Sequence, residues 1–279
     1  MSPAPEESPR PVVSLLTDFG ARDPSGAICE GVILGLCPQA TVVHISHEVT
    51  KYAIRDGALM LWCALPFMPV GVHMAVVDPG VGTRRRPLAM RVERGDILIG
   101  PDNGLLLPAA RRLGGVQAVH ELTSQTRRLH PVSSSFHGRD VFAPAAAHLA
   151  NGLPIQELGP ALEPKEIVDL VIPAARPIPG GVETSVIYVD TFGNCKLAGL
   201  REELEAVVGP MRPGRAVRVQ ADGAAERHLN WADTFGNVTV GEPILYVDSY
   251  DRLTLAVNQG NAADQLGLAQ DQPIRIQVE

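Results

Sequence analysis

Four short runs of polar residues in the first half of the chain have the composition of a reacting site. They are Thr17-Asp18-Phe19-Gly20 with Asp23 and Ser25 close behind, Asp78-Pro-Gly-Val-Gly-Thr83 leading into Arg84-Arg85-Arg86, Pro101-Asp102-Asn103-Gly104, and Ser135-Phe136-His137-Gly138-Arg139-Asp140. Together they offer carboxylates that can accept a proton or face a cation, permanently charged guanidinium groups, and an imidazole that changes charge near neutral pH. Each run alone is also an ordinary turn sequence, because Asp, Asn and Gly are what tight turns select. The shared feature is position: each is packed just after an apolar stretch, and in an α/β sheet ligands sit beyond the carboxyl ends of the strands.

The elements that must carry these runs are legible. Val12–Leu16, Thr41–Ile45, Gly71–Val77 and Asp96–Ile99 are continuously apolar or β-branched rather than alternating, as a strand covered on both faces requires. Helices are predicted over Ala27–Leu36, Ile54–Leu65 and Val141–Asn151, the last closed by Gly152 in a C-cap position. Residues 12–171 therefore read as an α/β domain, a mainly parallel sheet sandwiched by helices. Residues 172–181, IPAARPIPGG, hold three prolines and two glycines and read as a linker. From 182 to 279 the pattern turns to short β-rich segments, Thr184–Val189, Ala216–Val219, Pro243–Val247, Leu253–Val257 and Pro273–Val278. About five such strands form an all-β module, and closure into a small barrel removes exposed edges. The word Asp190-Thr-Phe-Gly-Asn194 recurs as Asp233-Thr-Phe-Gly-Asn237 with different flanks, which reads as chance or shared turn chemistry.

Bulk properties exclude several function classes. The chain has 279 residues, 45% hydrophobic and 20% charged, as a soluble globular protein does. A net charge of −7 with no basic stripe opposes binding to a phosphate backbone, so nucleic acid is excluded as a partner. Four cysteines without C-x-x-C spacing read as buried thiols of a reducing compartment. Residues 1–11, rich in Pro, Ser and Glu, read as a disordered tail rather than a signal peptide. The apolar run over 57–77 is broken by Pro66, Pro69, Gly71 and His73, which excludes a membrane span and makes the expected location cytoplasmic. His44 and His47 have an H-x-x-H spacing, but residues three apart on a strand point to opposite faces, so a structural role is expected and no metal site.

Six longer motifs carry a resemblance: LLTDFG at 15–20, VVDPGVGTRRR at 76–86, GPDNGLL at 100–106, FHGRDVFAPAAAHLA at 136–150, DTFGN at 190–194 and LAVNQGNAADQLGL at 255–268. In this order they closely resemble the S-adenosylmethionine (SAM) hydroxide adenosyltransferases, the family related to the bacterial fluorinating and chlorinating enzymes. The resemblance implies an α/β domain followed by a small β-barrel, and hydrolysis of SAM to adenosine and methionine by water attacking the ribose 5′ carbon. It carries a water-activating trio onto Asp78, Arg85 and His137, leaving open whether Asp78 or His137 takes the proton. It assigns Asp18 to the ribose hydroxyls, Asp23, Ser25, Asp190 and Ser249 to the amino-acid end, Asn194 and Val257 to the adenine edge, and Tyr52, Phe136, Phe192 and Trp231 to the walls. It also implies a homotrimer with active sites at subunit interfaces. A sulfonium departs as neutral methionine, so neither metal nor cofactor is expected.

Rival readings are weighed against the same residues. A halogenase needs a pocket that accepts a halide, which a carboxylate at Asp78 repels. A non-catalytic sensor of SAM or adenosine has no need of a water-activating trio, and a nucleosidase would release adenine instead. Ser25, Cys29, Glu30, Tyr250 and Asp251 depart from the usual hydrolase spelling, so the pocket for the substrate's tail is expected to differ from the common type.

Overall fold

The computed structural model describes residues 10–223 and 225–279, which divide after Leu170 into two compact units. Most of the expected tail lies outside the described residues. Pro11, which is described, accepts the Thr41 N–H through its carbonyl at 2.8 Å.

The first unit is built on strands β1 (Val12–Thr17), β2 (Thr41–Ser46), β3 (Val72–Val76), β4 (Pro87–Val92), β5 (Ile97–Pro101), β6 (Val116–Glu121) and β7 (Ala161–Leu162). Their order in the sheet is β2-β1-β3-β5-β4-β6-β7. The pairs among β2, β1, β3 and β5 are parallel, and the pairs from β5 through β4 and β6 to β7 are antiparallel. Helices α1 (Ser25–Leu36), α2 (Ile54–Ala64), α3 (Leu107–Arg112) and α4 (Ala143–Ala150) complete the unit. Val13, Leu15, Val72, Met74 and Val76 share one core with Cys29 and Ile33 of α1 and the buried face of α4. Leu16, Ala75 and Val77 share a second core with Ala58, Leu61 and α3. Two cores on opposite faces are why β1 and β3 are apolar at successive positions instead of alternate ones.

The second unit contains β8 (Arg176–Ile178), β9 (Gly181–Val189), β10 (Cys195–Leu200), α5 (Arg201–Val208), β11 (Ala216–Ala221), β12 (Arg227–Trp231), β13 (Pro243–Val247), β14 (Arg252–Val257), α6 (Ala262–Leu266) and β15 (Pro273–Val278). Seven strands run in the order β10-β14-β13-β12-β11-β15-β9, and β10 pairs again with β9 to close the barrel. Two more barrel strands exist than the sequence pattern gives. β10 carries Lys196 and Gly199 and β12 reads RHLNW, so neither has the apolar run used to find the others. The stretch expected as a linker contains β8, which pairs antiparallel with the start of β9. Pro177 fits there because β8 lies at the sheet's margin, where a missing N–H leaves no ladder partner unpaired.

Candidate active site

The carboxyl ends of β1 and β3 and the start of α4 converge on one cavity in the first unit. Its volume is about 270 Å³, and Asp18, Phe19, Asp23, Ser25, Lys51, Tyr52, Asp78, Phe136 and His137 are among its lining residues. β1 and β3 are adjacent and in parallel register, Thr17 opposite Val76, so the turns that follow them emerge side by side. That adjacency places Asp18 and Asp78 in the same mouth although they are sixty residues apart in sequence.

Asp78, Arg85 and His137 are joined. Arg85 Nε donates to both Asp78 oxygens at 2.9 Å and Arg85 Nη2 donates to Asp78 Oδ2. The same Nη2 lies 3.0 Å from His137 Nδ1. Since a guanidinium can only donate, His137 Nδ1 is the acceptor, and the neutral ring carries its proton on Nε2. Burial first, and the Arg85 charge second, hold the His137 pKa below its ordinary 6.5, against the opposing pull of Asp78. The ring is therefore neutral at pH 7. Arg85 Nη1 is buried without a hydrogen-bond partner among the described residues.

Two backbone features bring the trio together. Gly82 has φ +76°, and a Cβ there would collide with the Ser134 carbonyl oxygen, so glycine lets the loop bearing Arg85 approach the loop bearing His137. Residues 138–142 form one π-helical turn before α4, with His137 at its N-terminal edge. Such turns are frequent at functional sites because they re-aim one side chain without breaking the helix.

The remaining residues of this cavity are tied by their own bonds. Asp18 accepts the Tyr52 N–H through Oδ2 at 2.9 Å, which holds Tyr52 at φ +66° and leaves Oδ1 for another donor. A positive φ is uncommon outside glycine and is kept here by that carboxylate. Asp23 accepts the Ser25 N–H at 2.8 Å, and bonds from Ser25 lower its pKa. These two residues thus form one turn at the start of α1. Lys51, absent from the sequence-based set, lines the cavity beside Tyr52. Its only sequence signal is its position in the polar loop before α2.

The barrel has a separate cavity of about 710 Å³ that gathers Asp190, Phe192, Asn194, Ser249 and Val257. Asp190 Oδ1 accepts the Phe192 and Asn194 N–H groups at 2.9 and 3.0 Å, and Asn194 Nδ2 donates to Asp190 Oδ2 at 3.0 Å. The Val257 carbonyl accepts the Gly260 N–H at 3.1 Å. Lys196, Phe235, Tyr246 and Asp248, absent from the sequence-based set, also line it, as does Tyr250, which the sequence marks only as a departure from the usual spelling. Phe235 belongs to the second DTFGN word and packs on Tyr246 at 5.2 Å between ring centroids. The repeat is not a repeated turn: in the second copy Asn237 Oδ1 accepts the Asp233 and Thr234 N–H groups, the reverse of the first copy, where the Asp accepts. Lys196 pairs with Asp248 and sits over the Tyr250 ring. Burial first, then the Asp248 and Asp190 charges, push the Tyr246 hydroxyl up to about 12.

Trp231 is not with this group. It is 1% exposed in the barrel core and lines a different cavity, with Arg201, Met211 and Arg212. The H-x-x-H expectation also needs correction. β2 ends at Ser46, so His47 lies beyond the strand, and its Nε2 lies 2.7 Å from His44 Nδ1. No group of three or more His, Cys, Asp or Glu residues able to hold a metal occurs among the described residues.

Residues 13–159 match the SAM hydroxide adenosyltransferase N-terminal domain, and residues 184–275 match the C-terminal domain. The chain belongs to the SAM hydroxide adenosyltransferase family. Within the family, it is 44% identical over 269 residues to an (R)-S-adenosyl-L-methionine hydrolase of Salinispora tropica, covering 96% of this chain and 98% of that one. A fluorinase of Actinoplanes sp. is 30% identical over 275 residues, 89% of this chain and 91% of that one. A crystal structure of an uncharacterized conserved protein from Thermotoga maritima superposes with a TM-score of 0.88 at 32% identity, covering 95% of this chain and 99% of that one. No helix among the described residues is long and apolar enough to cross a membrane.

Proposed function

We propose that this protein hydrolyses S-adenosyl-L-methionine to adenosine and L-methionine, with an activated water displacing methionine in line from the ribose 5′ carbon. The observation that carries the mechanism is that Asp78 and His137 both line the first cavity and are joined by Arg85. Water has a pKa of about 15.7, so its proton must leave to a base as the new bond forms. With Nδ1 taken by Arg85 and Nε2 carrying the proton, neutral His137 has no lone pair left to accept one. Asp78 keeps unused lone pairs and takes the proton, while His137 Nε2–H holds the water oxygen. As oxygen bonds to C5′, the C5′–S bond breaks and its electron pair stays on sulfur, giving neutral methionine. Arg85 keeps the carboxylate and the imidazole in register and favours a hydroxide-like oxygen.

Asp18, through its free oxygen, accepts from the ribose hydroxyls. Asp23, Ser25, Asp190 and Ser249 hold the amino-acid end, Asn194 and Val257 read adenine, and Tyr52, Phe136 and Phe192 wall the ligand; Trp231 acts through the barrel core instead of by contact. The first cavity is below the range of about 300–1,000 Å³ usual for ligands of this size. That size, with Tyr52 70% and Phe192 75% exposed, supports completion of the site by another copy in a homotrimer. The enzyme is cytoplasmic in this reading and uses no metal or cofactor. Halogenation is disfavoured because a halide would face the Asp78 carboxylate.

The test is incubation with SAM and chromatography of the products. Adenosine and methionine in equal amounts are expected; adenine would indicate a nucleosidase, and bound but unconsumed SAM a sensor. His137→Ala should lower kcat at least about tenfold with little change in SAM affinity, because that ring acts on water. Equal losses of both would refute the role.

A further inference from the structure

Behind the first cavity, four side chains form an unbroken line to the surface. Thr17 Oγ lies 2.8 Å from His47 Nδ1, His47 Nε2 lies 2.7 Å from His44 Nδ1, and His44 Nε2 lies 3.2 Å from Glu30 Oε2. The Phe19 N–H donates to Thr17 Oγ at 3.2 Å, so the hydroxyl's own proton is directed at His47. Every proton then points outward: Thr17 O–H to His47 Nδ1, His47 Nε2–H to His44 Nδ1, and His44 Nε2–H to Glu30. Both imidazoles are neutral in this arrangement, and no ring nitrogen is idle.

His47 sits where three segments lining the cavity meet. Its carbonyl accepts the Gly20 N–H at 2.7 Å, and its ring fixes Thr17 beside Asp18 and Phe19. The ring also packs on Gly26 next to Ser25, where a Cβ would lie 2.8 Å from His47 Cε1. The following residues close the same clamp, with the Ala21 N–H on the Glu48 carboxylate and the Tyr52 N–H on Asp18.

We propose that the Glu30-His44-His47-Thr17 chain is a proton-sensitive positioning device for the substrate cavity, which holds the Thr17-to-Gly20 turn in its binding form only while both imidazoles are neutral. The proposal rests on the reading that this cavity binds SAM. A proton added to His44 must go on Nδ1, where it faces the His47 Nε2–H across 2.7 Å, donor against donor. Relief requires His47 to move its proton to Nδ1, toward Thr17. A proton added directly to His47 ends in the same place. The Thr17 oxygen must then accept from both His47 and Phe19, and its own proton loses its acceptor. The turn that presents Asp18 loosens.

The charged and titratable groups facing His47 are Glu30 from α1, His44 from β2 and Glu48 from the next loop, while β1 presents the uncharged Thr17. Burial first, then the neighbouring His44, lower the His47 pKa from 6.5, against the two carboxylates. Direct protonation of His47 therefore falls below pH 6.5.

The test reads adenosine affinity by calorimetry, with SAM KM alongside, from about pH 8 to about pH 5. In the wild type both should weaken about fivefold across the acid half of that range, the ratio that one intramolecular hydrogen bond commonly sets. In His44→Asn the carboxamide oxygen stands in for Nδ1 as acceptor, and the neighbouring imidazole that helps hold the His47 pKa down is gone, so the weakening should move to higher pH. Glu30→Gln removes a proton-favouring carboxylate and should move the weakening to lower pH, a displacement that a merely structural role would not produce. A flat wild-type profile, or a His44→Asn profile that coincides with the wild type, overturns the proposal. Adenosine binding with the expected profile but no SAM consumption would support the device and sink the hydrolytic reading. SAM consumption with pH-independent affinity would do the reverse.

Discussion

Arg85→Lys isolates the fork of the guanidinium from its charge. In the native site, Nε reaches both Asp78 oxygens and Nη2 reaches Asp78 and His137 together. An ammonium keeps the charge but is a single point on a flexible stem, so it can contact Asp78 without also holding the imidazole. The variant loses the His137 contact and one carboxylate contact. Charge-assisted hydrogen bonds contribute about 1.5–3 kcal/mol each, and the new ammonium contact offsets part of the loss, leaving a net cost of about 3 kcal/mol. At about 1.36 kcal/mol per tenfold, kcat should fall about a hundredfold. Initial rates of adenosine release, measured by chromatography over a range of SAM concentrations, separate kcat from KM. KM should change little, because Arg85 is assigned to water and its neighbours, not to the nucleoside. A kcat within about threefold of the wild type, or a loss carried wholly by KM, would refute the reasoning.

In the proposed mechanism turnover requires neutral His137, whose pKa is lowered from 6.5 chiefly by burial and then by Arg85, so kcat should be level at neutral pH and fall only below pH 6.5. A kcat already declining from about pH 8 downward would contradict this sign. Asp18→Ala should weaken adenosine binding by about ten- to a hundredfold in calorimetry, since buried ribose hydroxyls lose their acceptor; unchanged affinity would discard the ribose assignment. Asp96→Asn should lower stability by about 3–5 kcal/mol in thermal or denaturant unfolding, because it breaks a buried pair. Burial alone would raise the Asp96 pKa, but hydrogen bonds from His73 and Arg94 outweigh it and hold it well below 3.8. Its stabilisation is therefore present above that pH and lost as pH falls through the folded value, so the deficit of Asp96→Asn should be constant near neutrality and shrink in acid; a deficit growing in acid would reverse the argument.

What the sequence disclosed follows from how much of each element's environment is local. β1, β3 and β5 announce themselves because burial on two faces demands consecutive apolar residues, whereas β2, an edge strand with no buried residue, is legible through its β-branched content. β4, β6, β10 and β12 carry Arg91, Gln117, Lys196 and His228 among their apolar residues, so their signal falls to that of a loop. The polar runs beginning at Thr17, Asp78 and Pro101 follow or end β1, β3 and β5, whereas 135–140 lies well beyond β6 and leads into α4; three of the four contribute residues to the first cavity. The fourth does not: Asp102 is buried beneath Arg86 and the Val168 N–H, a structural anchor. Lys51, Phe235 and Tyr246 were silent because nothing in their local sequence records which sheet order brings them to a cavity.

Residue types alone would also have chosen the wrong trio. Ser14 Oγ lies 2.7 Å from His73 Nδ1, and His73 Nε2 lies 2.9 Å from Asp96 Oδ1, the connectivity of a nucleophilic serine with its base and orienting acid. All three are 0% exposed, and Ser14 pairs directly with His73 between β1 and β3 in the middle of the sheet. Arg94 fastens Asp96 from outside while also holding the Leu65 and Pro66 carbonyls. No substrate carbonyl can reach that serine, so the network stitches two strands to a helix end and does no chemistry. Asp78 and His137 have less familiar connectivity through Arg85, but both line a cavity. Access to a reacting atom, which depends on the sheet order rather than on any local motif, separates the two sets.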